Sequence, residues 1–246
     1  MKLYGLIGYP LGHSFSKKYF TDKFQREKIS GCRYELFPIE TIQDLPQLLI
    51  DNPNLVGLNV TIPYKEQVLE FVAQSRNEVK EIKAANTIKI VDGILIAYNT
   101  DVIGFENSFT KKLKPSQKKA LILGTGGSSK AVQYVLEKLR IDFLLVSRNK
   151  TNKEGMIPYS MIDKNLLDQY QVIINCTPVG LSPNDSECPQ IPYQFIASDH
   201  YLFDLVYKPE KTLFLKKGEE MGAEIQNGYE MLIIQAEESW KIWNEH

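Results

Sequence analysis

Residues 120–148 read ALILGTGGSSKAVQYVLEKLRIDFLLVSR, an apolar run, a glycine-rich turn, a helical pattern and a second apolar run. ALILG (120–124) is short, apolar and closed by glycine, which predicts a buried strand. Val132, Val135 and Leu136 recur at helical spacing, so a helix is expected over about 127–139, with FLLVS (143–147) as the next strand. The turn Gly124-Thr125-Gly126-Gly127-Ser128-Ser129 sits between strand and helix. Its first glycine permits the tight turn, and its second lets backbone N–H groups approach a phosphate. The third position needs a small side chain for helix–strand packing, and Ser129 supplies it. A pyrophosphate would rest on the helix N-terminus. The stretch therefore predicts a Rossmann-like dinucleotide-binding unit.

The second strand of that unit ends in Val146-Ser147-Arg148-Asn149-Lys150. An acid at this place would hold a ribose 2′-hydroxyl; here Arg148 stands instead. A guanidinium suits a 2′-phosphate through paired charge-assisted hydrogen bonds, so NADP is the expected cofactor. Lys150 and Lys153 are the next cations available.

Outward from this unit, apolar runs alternate with helical patterns. Strands are expected at 3–9, 32–39, 55–61, 171–177 and 201–206, and helices at 16–29, 43–52, 101–112, 211–222 and from 228 onward. Pro63 suits the first turn of a helix over 64–73, which would carry Lys65. TIKIV and ILIAY flank Asp92-Gly93, a two-residue hairpin signal. The alternation predicts α/β architecture with mostly parallel sheets. Two domains with a cleft between them are expected. Residues 1–100 with the closing helix from about 228 would form one, and residues 101–227 the other. TKKLKPSQKK (110–119) reads as a solvated linker or domain edge.

Composition narrows the classes of function. Lys plus Arg number 29 against 30 for Asp plus Glu, so no global charge favours nucleic acid or an anionic membrane. No apolar run reaches the ~18–20 residues of a membrane helix. The glycines and proline of MKLYGLIGYPLGHS interrupt any signal-peptide core. Three cysteines, Cys32, Cys176 and Cys188, with no C-x-x-C spacing argue against a disulfide framework or zinc site, and for a cytoplasmic setting.

The remaining polar clusters fall at expected strand ends. They are Gly8-Tyr-Pro10-Leu-Gly-His13-Ser14-Phe-Ser16, Gly57-Leu-Asn59-Val-Thr61-Ile-Pro63-Tyr-Lys65, Ala84-Ala-Asn86-Thr87 and Tyr98-Asn99-Thr100-Asp101. Downstream lie Asn175-Cys-Thr177-Pro-Val-Gly180, Asp204-Leu-Val-Tyr207 and Gly228-Tyr-Glu-Met-Leu232 with Gln235. In order and spacing this set resembles the shikimate dehydrogenase family, nearly end to end. The resemblance implies an N-terminal α/β substrate domain and an NADP-binding Rossmann-like domain. It implies reduction of 3-dehydroshikimate to shikimate, with quinate or both acids as substrate, or a non-catalytic NADP-binding regulator on the same fold, as the alternatives; a monomer or homodimer is expected. Lys65 and Asp101 would be the catalytic pair. Ser14 and Ser16 would hold the substrate carboxylate with Tyr207, while Thr61, Asn86, Asp101 and Gln235 would bind hydroxyls. Gly124, Thr125, Gly126, Gly127 and Ser128 would cradle the pyrophosphate, Arg148 the 2′-phosphate, and the Gly228 backbone would approach the nicotinamide. Lys83 and Glu230 depart from the family pattern, each standing where glycine is usual.

The residue chemistry agrees. Neutral hydrogen-bonding groups with one cation and one anion suit a small polyhydroxylated acid better than a lipid or peptide. Each residue also has an ordinary structural use. Ser16 would cap a helix starting at 17, Asn86 would serve a turn, and Asp101 would cap the helix after it. Cys176 reads as a small buried hydrophobe, and His13 and His200 receive no role.

Overall fold

The computed structural model describes residues 1–12, 14–148 and 154–245. The chain separates into two compact units, Met1–Thr100 with Gln235–His246, and Asp101–Ile234.

The first unit is built on a six-stranded sheet. Its strands are β1 (Lys2–Gly8), β2 (Cys32–Pro38), β3 (Leu55–Val60), β4 (Gln74–Ser75), β5 (Thr87–Val91) and β6 (Ile94–Tyr98), in the order β2-β1-β3-β5-β6-β4. β1 pairs in parallel with β2 and β3, but β5 runs antiparallel to both β3 and β6. This sheet is therefore mixed, although parallel pairs still predominate over the two sheets, as expected. The antiparallel β5–β6 pair is the expected hairpin at Asp92-Gly93, whose two residues both take positive φ (50° and 77°) and reverse the chain between neighbouring strands.

Period-two alternation sends β1 side chains to two cores. Leu3 and Ile7 join Leu45, Leu58, Val60 and Ile88 on one face. Tyr4 and Leu6 join Phe20, Phe24 and Tyr34 on the other, with Ala236 and Trp243 of the closing helix α8 (Tyr229–Asn244). Phe20 and Phe24 come from α1 (Phe15–Arg26). Gly57 is required by packing, since a Cβ there would strike the Trp243 indole.

The second unit holds β7 (Lys119–Leu123), β8 (Asp142–Ser147), β9 (Met156–Pro158), β10 (Val172–Asn175), β11 (Tyr201–Asp204) and β12 (Glu224–Asn227). Their order is β12-β11-β10-β7-β8-β9, with all pairs parallel. Counted from β7 as the first strand, that is the 3-2-1-4-5-6 order of dinucleotide-binding sheets. α5 (Gly127–Lys138) crosses from β7 to β8. α4 (Thr100–Phe109) sets Phe105 edge-on to Phe203 and stacks Phe109 on Tyr201.

The units divide at Gln235, inside α8, whereas the sequence placed the return near 228. The first turn of α8 is tied to the second unit, because Glu230 pairs with Lys111 and accepts from Gln226. The lysine-rich segment 110–119 is not a linker between units. Lys112 bonds Glu224 at 2.7 Å and the Ile225 carbonyl at 2.9 Å, holding the segment on the second unit.

Candidate functional site

In the first unit the polar clusters converge through strand direction. β1, β3 and β6 end at one edge of the sheet, and the antiparallel β5 begins there, since Ile7 pairs with Val60, Asn59 with Thr87, and Thr87 with Tyr98. The loop carrying Ser14, the turn carrying Thr61 and Lys65, the residue Asn86 and the segment Asn99-Thr100 therefore leave the sheet on the same side.

Ser14 caps α1, accepting from the Lys17 amide at 3.4 Å. The expectation that Ser16 caps this helix is corrected: the helix begins at Phe15, so Ser16 lies in its first turn. Both serines are half-buried. His13 lies outside the described residues.

The α-helix expected over 64–73 is absent. Residues 62–66 form turns, and only a 3₁₀ helix, Gln67–Phe71, follows. The cause is a competing backbone bond. The Lys65 carbonyl, which an α-helix would offer to Leu69, accepts instead from the Ala85 amide at 2.7 Å, and the Leu69 amide turns to Glu66. Lys65 is thus half-buried on a turn and receives no helix N-terminus.

Asn86 is buried and held on every side. Its carbonyl accepts from Val60 at 2.8 Å, and its amide donates to Tyr98 at 3.2 Å. Its side chain accepts from the Thr100 amide at 2.7 Å and donates to the Thr100 hydroxyl at 3.0 Å. Behind it runs a buried polar chain. Tyr34 donates to Asn59 at 2.8 Å, Asn59 to Ser239 at 3.0 Å, and Ser239 shares hydrogen bonds with Thr87 and Thr100. The sequence assigned roles to Asn86 and Gln235 but none to Thr100, Asn59 or Ser239. Gln235 is buried one helical turn before Ser239, whose hydroxyl donates to the Gln235 carbonyl at 2.9 Å.

Lys83 occupies a backbone conformation that favours glycine. It ends α3 (Asn77–Ile82) in the left-handed region, with φ 56°. Glycine adopts that conformation freely, whereas other residues lose roughly 1 kcal/mol or more there. Lys83→Gly is expected to raise stability by about 0.5–1 kcal/mol in urea denaturation. A loss of stability would mean the lysine side chain holds the turn.

In the second unit the glycine-rich turn leaves β7 beside β10, where the strand order reverses. Such switch points open a crevice at the carboxyl ends of the strands. Gly124 has φ 104°, and a Cβ there would come within 2.7 Å of Thr177 Cγ2. Gly126 caps α5, and a Cβ on it would meet nothing within 4 Å. Thr125 is exposed, and Gly127 and Ser128 open α5. Ser129 is buried, its hydroxyl donating to the Gly126 carbonyl at 2.7 Å. An open backbone surface over a helix N-terminus fits a pyrophosphate. Arg148 follows β8 and is exposed; Lys150 and Lys153 lie outside the described residues.

Thr177 is itself fixed by Asn175, whose amide oxygen accepts from its backbone at 3.0 Å and its hydroxyl at 2.6 Å. Asn175 donates to Asp204 at 2.9 Å, and Asp204 also accepts from Val206 at 3.0 Å and Thr212 at 2.5 Å. Burial nevertheless raises the Asp204 carboxyl to about 7, against the pull of these three bonds. Burial also pushes the Cys176 thiol up, in keeping with a core residue. Tyr207 is half-buried, and desolvation raises its hydroxyl. Gly228 is buried against the Leu205 carbonyl, with which any Cβ would collide. Asp101 is buried in the first turn of α4, one residue past its start. His200 is a core residue whose ring meets the Ala197 amide and the Leu167 carbonyl. Among the described residues no cluster suits a metal ion, and no helix is long and apolar enough to cross a membrane.

Residues 6–88 match the family of the shikimate dehydrogenase substrate binding domain. A shikimate dehydrogenase (NADP(+)) of Caldicellulosiruptor bescii is 35% identical, covering 99% of this chain and 89% of the relative. Among solved structures, a chorismate mutase/shikimate 5-dehydrogenase fusion protein from Clostridium acetobutylicum superposes with a TM-score of 0.88 at 33% identity, covering 99% of this chain and 91% of that one. A shikimate 5-dehydrogenase from Thermus thermophilus in complex with NADP(H) and shikimate gives 0.85 at 26% identity, covering 99% and 94%.

Proposed function

Because this chain belongs to the shikimate dehydrogenase family, we infer that it interconverts 3-dehydroshikimate and shikimate with NADP, a step of aromatic amino-acid biosynthesis. The observation that carries this reading is the convergence of the Ser14, Lys65, Asn86 and Asn99-Thr100 segments at one edge of the first unit's sheet. Such a set of hydroxyl, amide and ammonium groups suits a small acid bearing several hydroxyls. A site built to pair hydroxyls rejects analogues that lack them, because its own buried groups would be left unpaired.

Ser14, Ser16 and Tyr207 take the carboxylate in this reading, and Thr61, Asn86, Asp101 and Gln235 the ring hydroxyls. Gly124 through Ser128 and Arg148 hold the dinucleotide, with the Gly228 backbone at the nicotinamide; when bound, the cofactor supplies or accepts the hydride. Lys65 Nζ gives a proton to the carbonyl oxygen during reduction and takes it back during oxidation, with Asp101 as its partner. The free thiols Cys32, Cys176 and Cys188 suit a cytoplasmic protein, which would act as a monomer or homodimer.

The test is NADPH formation from shikimate and from quinate, each with NADP and with NAD. Shikimate with NADP is expected to turn over fastest. Quinate turnover without shikimate turnover would change the substrate, and no turnover of either by folded protein would overturn the enzyme reading.

Arg148→Ala is expected to raise KM for NADP about tenfold and leave NAD nearly unchanged. A charge-assisted pair is worth roughly 1.5–3 kcal/mol, and a solvated guanidinium takes the lower end. Equal losses for both cofactors would move the 2′-phosphate elsewhere, with Lys150 and Lys153 next to be replaced.

A further inference from the structure

One peptide group in the first unit is gripped at both ends. The carbonyl of Ala84 and the amide of Ala85 belong to a single planar unit. The Asn99 side-chain amide donates to that carbonyl at 2.9 Å. The amide at the other end donates to the Lys65 carbonyl at 2.7 Å. Hydrogen bonds in such a chain polarise one another, so the donation from Asn99 strengthens the hold on Lys65.

Asn99 is 4% exposed, and its side-chain oxygen is buried with no hydrogen-bond partner among the described residues. The residue stands directly before α4, where an Asn oxygen ordinarily caps the helix that follows. The amide orientation is forced, since the reverse would set two acceptors against each other at Ala84. A buried acceptor left unpaired opposes folding. An apolar side chain would avoid that penalty but take the donor from the buried Ala84 carbonyl, so the amide is kept for the one bond it makes, to the Ala84–Ala85 peptide.

What it serves is read from Lys65. The bond from Ala85 keeps the Lys65 carbonyl out of α-helical pairing with Leu69, and so ties the turn at 62–66 to the Ala84–Ala85 peptide. We propose that Asn99 is a positioning residue: through the Ala84–Ala85 peptide it fixes the backbone from which Lys65 presents its ammonium. The proposal rests on the acid–base reading of Lys65 given above. Asn86, next along the chain, has its own ties to Val60, Tyr98 and Thr100, so loss of the Asn99 bond leaves it in place.

The test is Asn99→Leu, close in volume and lacking the donor, assayed for shikimate oxidation with NADP. kcat is expected to fall about 10–100-fold, the scale of a small misplacement of a reacting group. KM for shikimate should change less than threefold. In a Lys65→Ala background the same substitution should lower kcat no further, because it acts through Lys65. A kcat within twofold of the parent overturns the proposal, as does an equal fall in both backgrounds. If Lys65→Ala alone keeps a near-normal kcat, the acid–base reading fails and takes this proposal with it. If Lys65→Ala is inert, the comparison in the parent background decides. Should Asn99→Leu not fold, Asn99→Asp replaces it. Its ionised carboxylate opposes Ala84 and lowers kcat, while its protonated form donates and restores it as pH falls. A flat ratio of Asn99→Asp to parent kcat across pH overturns the proposal.

Discussion

Lys65→Ala is expected to lower kcat for shikimate oxidation by about 10²–10⁴-fold, the range of a positioned acid–base group. An ammonium that pairs with a developing alkoxide stabilises the transition state more than the ground state, so the loss falls on the rate. KM for shikimate should move far less. The substitution removes the side chain only, and the Ala85 amide still holds the residue 65 carbonyl. Ser14 and Asn86 keep their own hydrogen bonds, to the Lys17 and Thr100 amides. Asp101→Ala should harm both parameters if Asp101 has the two roles proposed for it, in holding the ring and in acid–base work with Lys65. The double variant should be less damaged than the product of the singles if the two act as a unit. A Lys65→Ala enzyme with normal kcat and raised KM would make Lys65 a binding group and send the proton through another.

Asp204→Asn is expected to remove the pH dependence that Asp204 imposes on stability. The carboxyl sits at about 7 in the folded chain against 3.8 for the ordinary group, with burial as the main cause. A raised folded value means that the fold binds the proton more tightly than the unfolded chain does. The stabilisation is complete below about pH 4 and is lost as pH rises through 7. Between pH 5 and pH 8 that loss is roughly 2–3 kcal/mol. Asparagine never ionises, and its oxygen still accepts from Asn175 and Val206. In urea denaturation at pH 5 and pH 8, the variant should gain on the parent by about that amount. A difference that does not change with pH would place the carboxyl near its ordinary value.

What the sequence made legible was whatever local chemistry decides. The run 120–148 gave strand, turn and helix within one or two residues of their ends, because glycine placement and apolar spacing act over short distances. Asp92-Gly93 named its hairpin for the same reason. The misreadings were decided by partners far along the chain. Pro63 looked like a helix start, and only the amide of Ala85 diverts the Lys65 carbonyl. β12, with the sequence EIQN and four half-buried residues, has no apolar signature and exists by pairing with β11. Of the site, the motifs supplied the side chains that point toward chemistry. They could not supply the Tyr34–Asn59–Ser239 chain behind them, whose members come from three separate stretches of sequence.

The discontinuity of the first unit sets an order on its synthesis. Ala236, Trp240 and Trp243, which cover Tyr4, Phe20 and Phe24, are translated only after the whole of Asp101–Ile234. At about 5–20 residues per second, that interval is on the order of ten seconds. Through it, the nascent sheet holds an aromatic face with no helix to close it and an Asn59 amide with no Ser239 to receive it. The interval is the one in which a chaperone that shields aromatic surface would have most to bind. The second unit, continuous from Asp101 to Ile234, imposes no such wait.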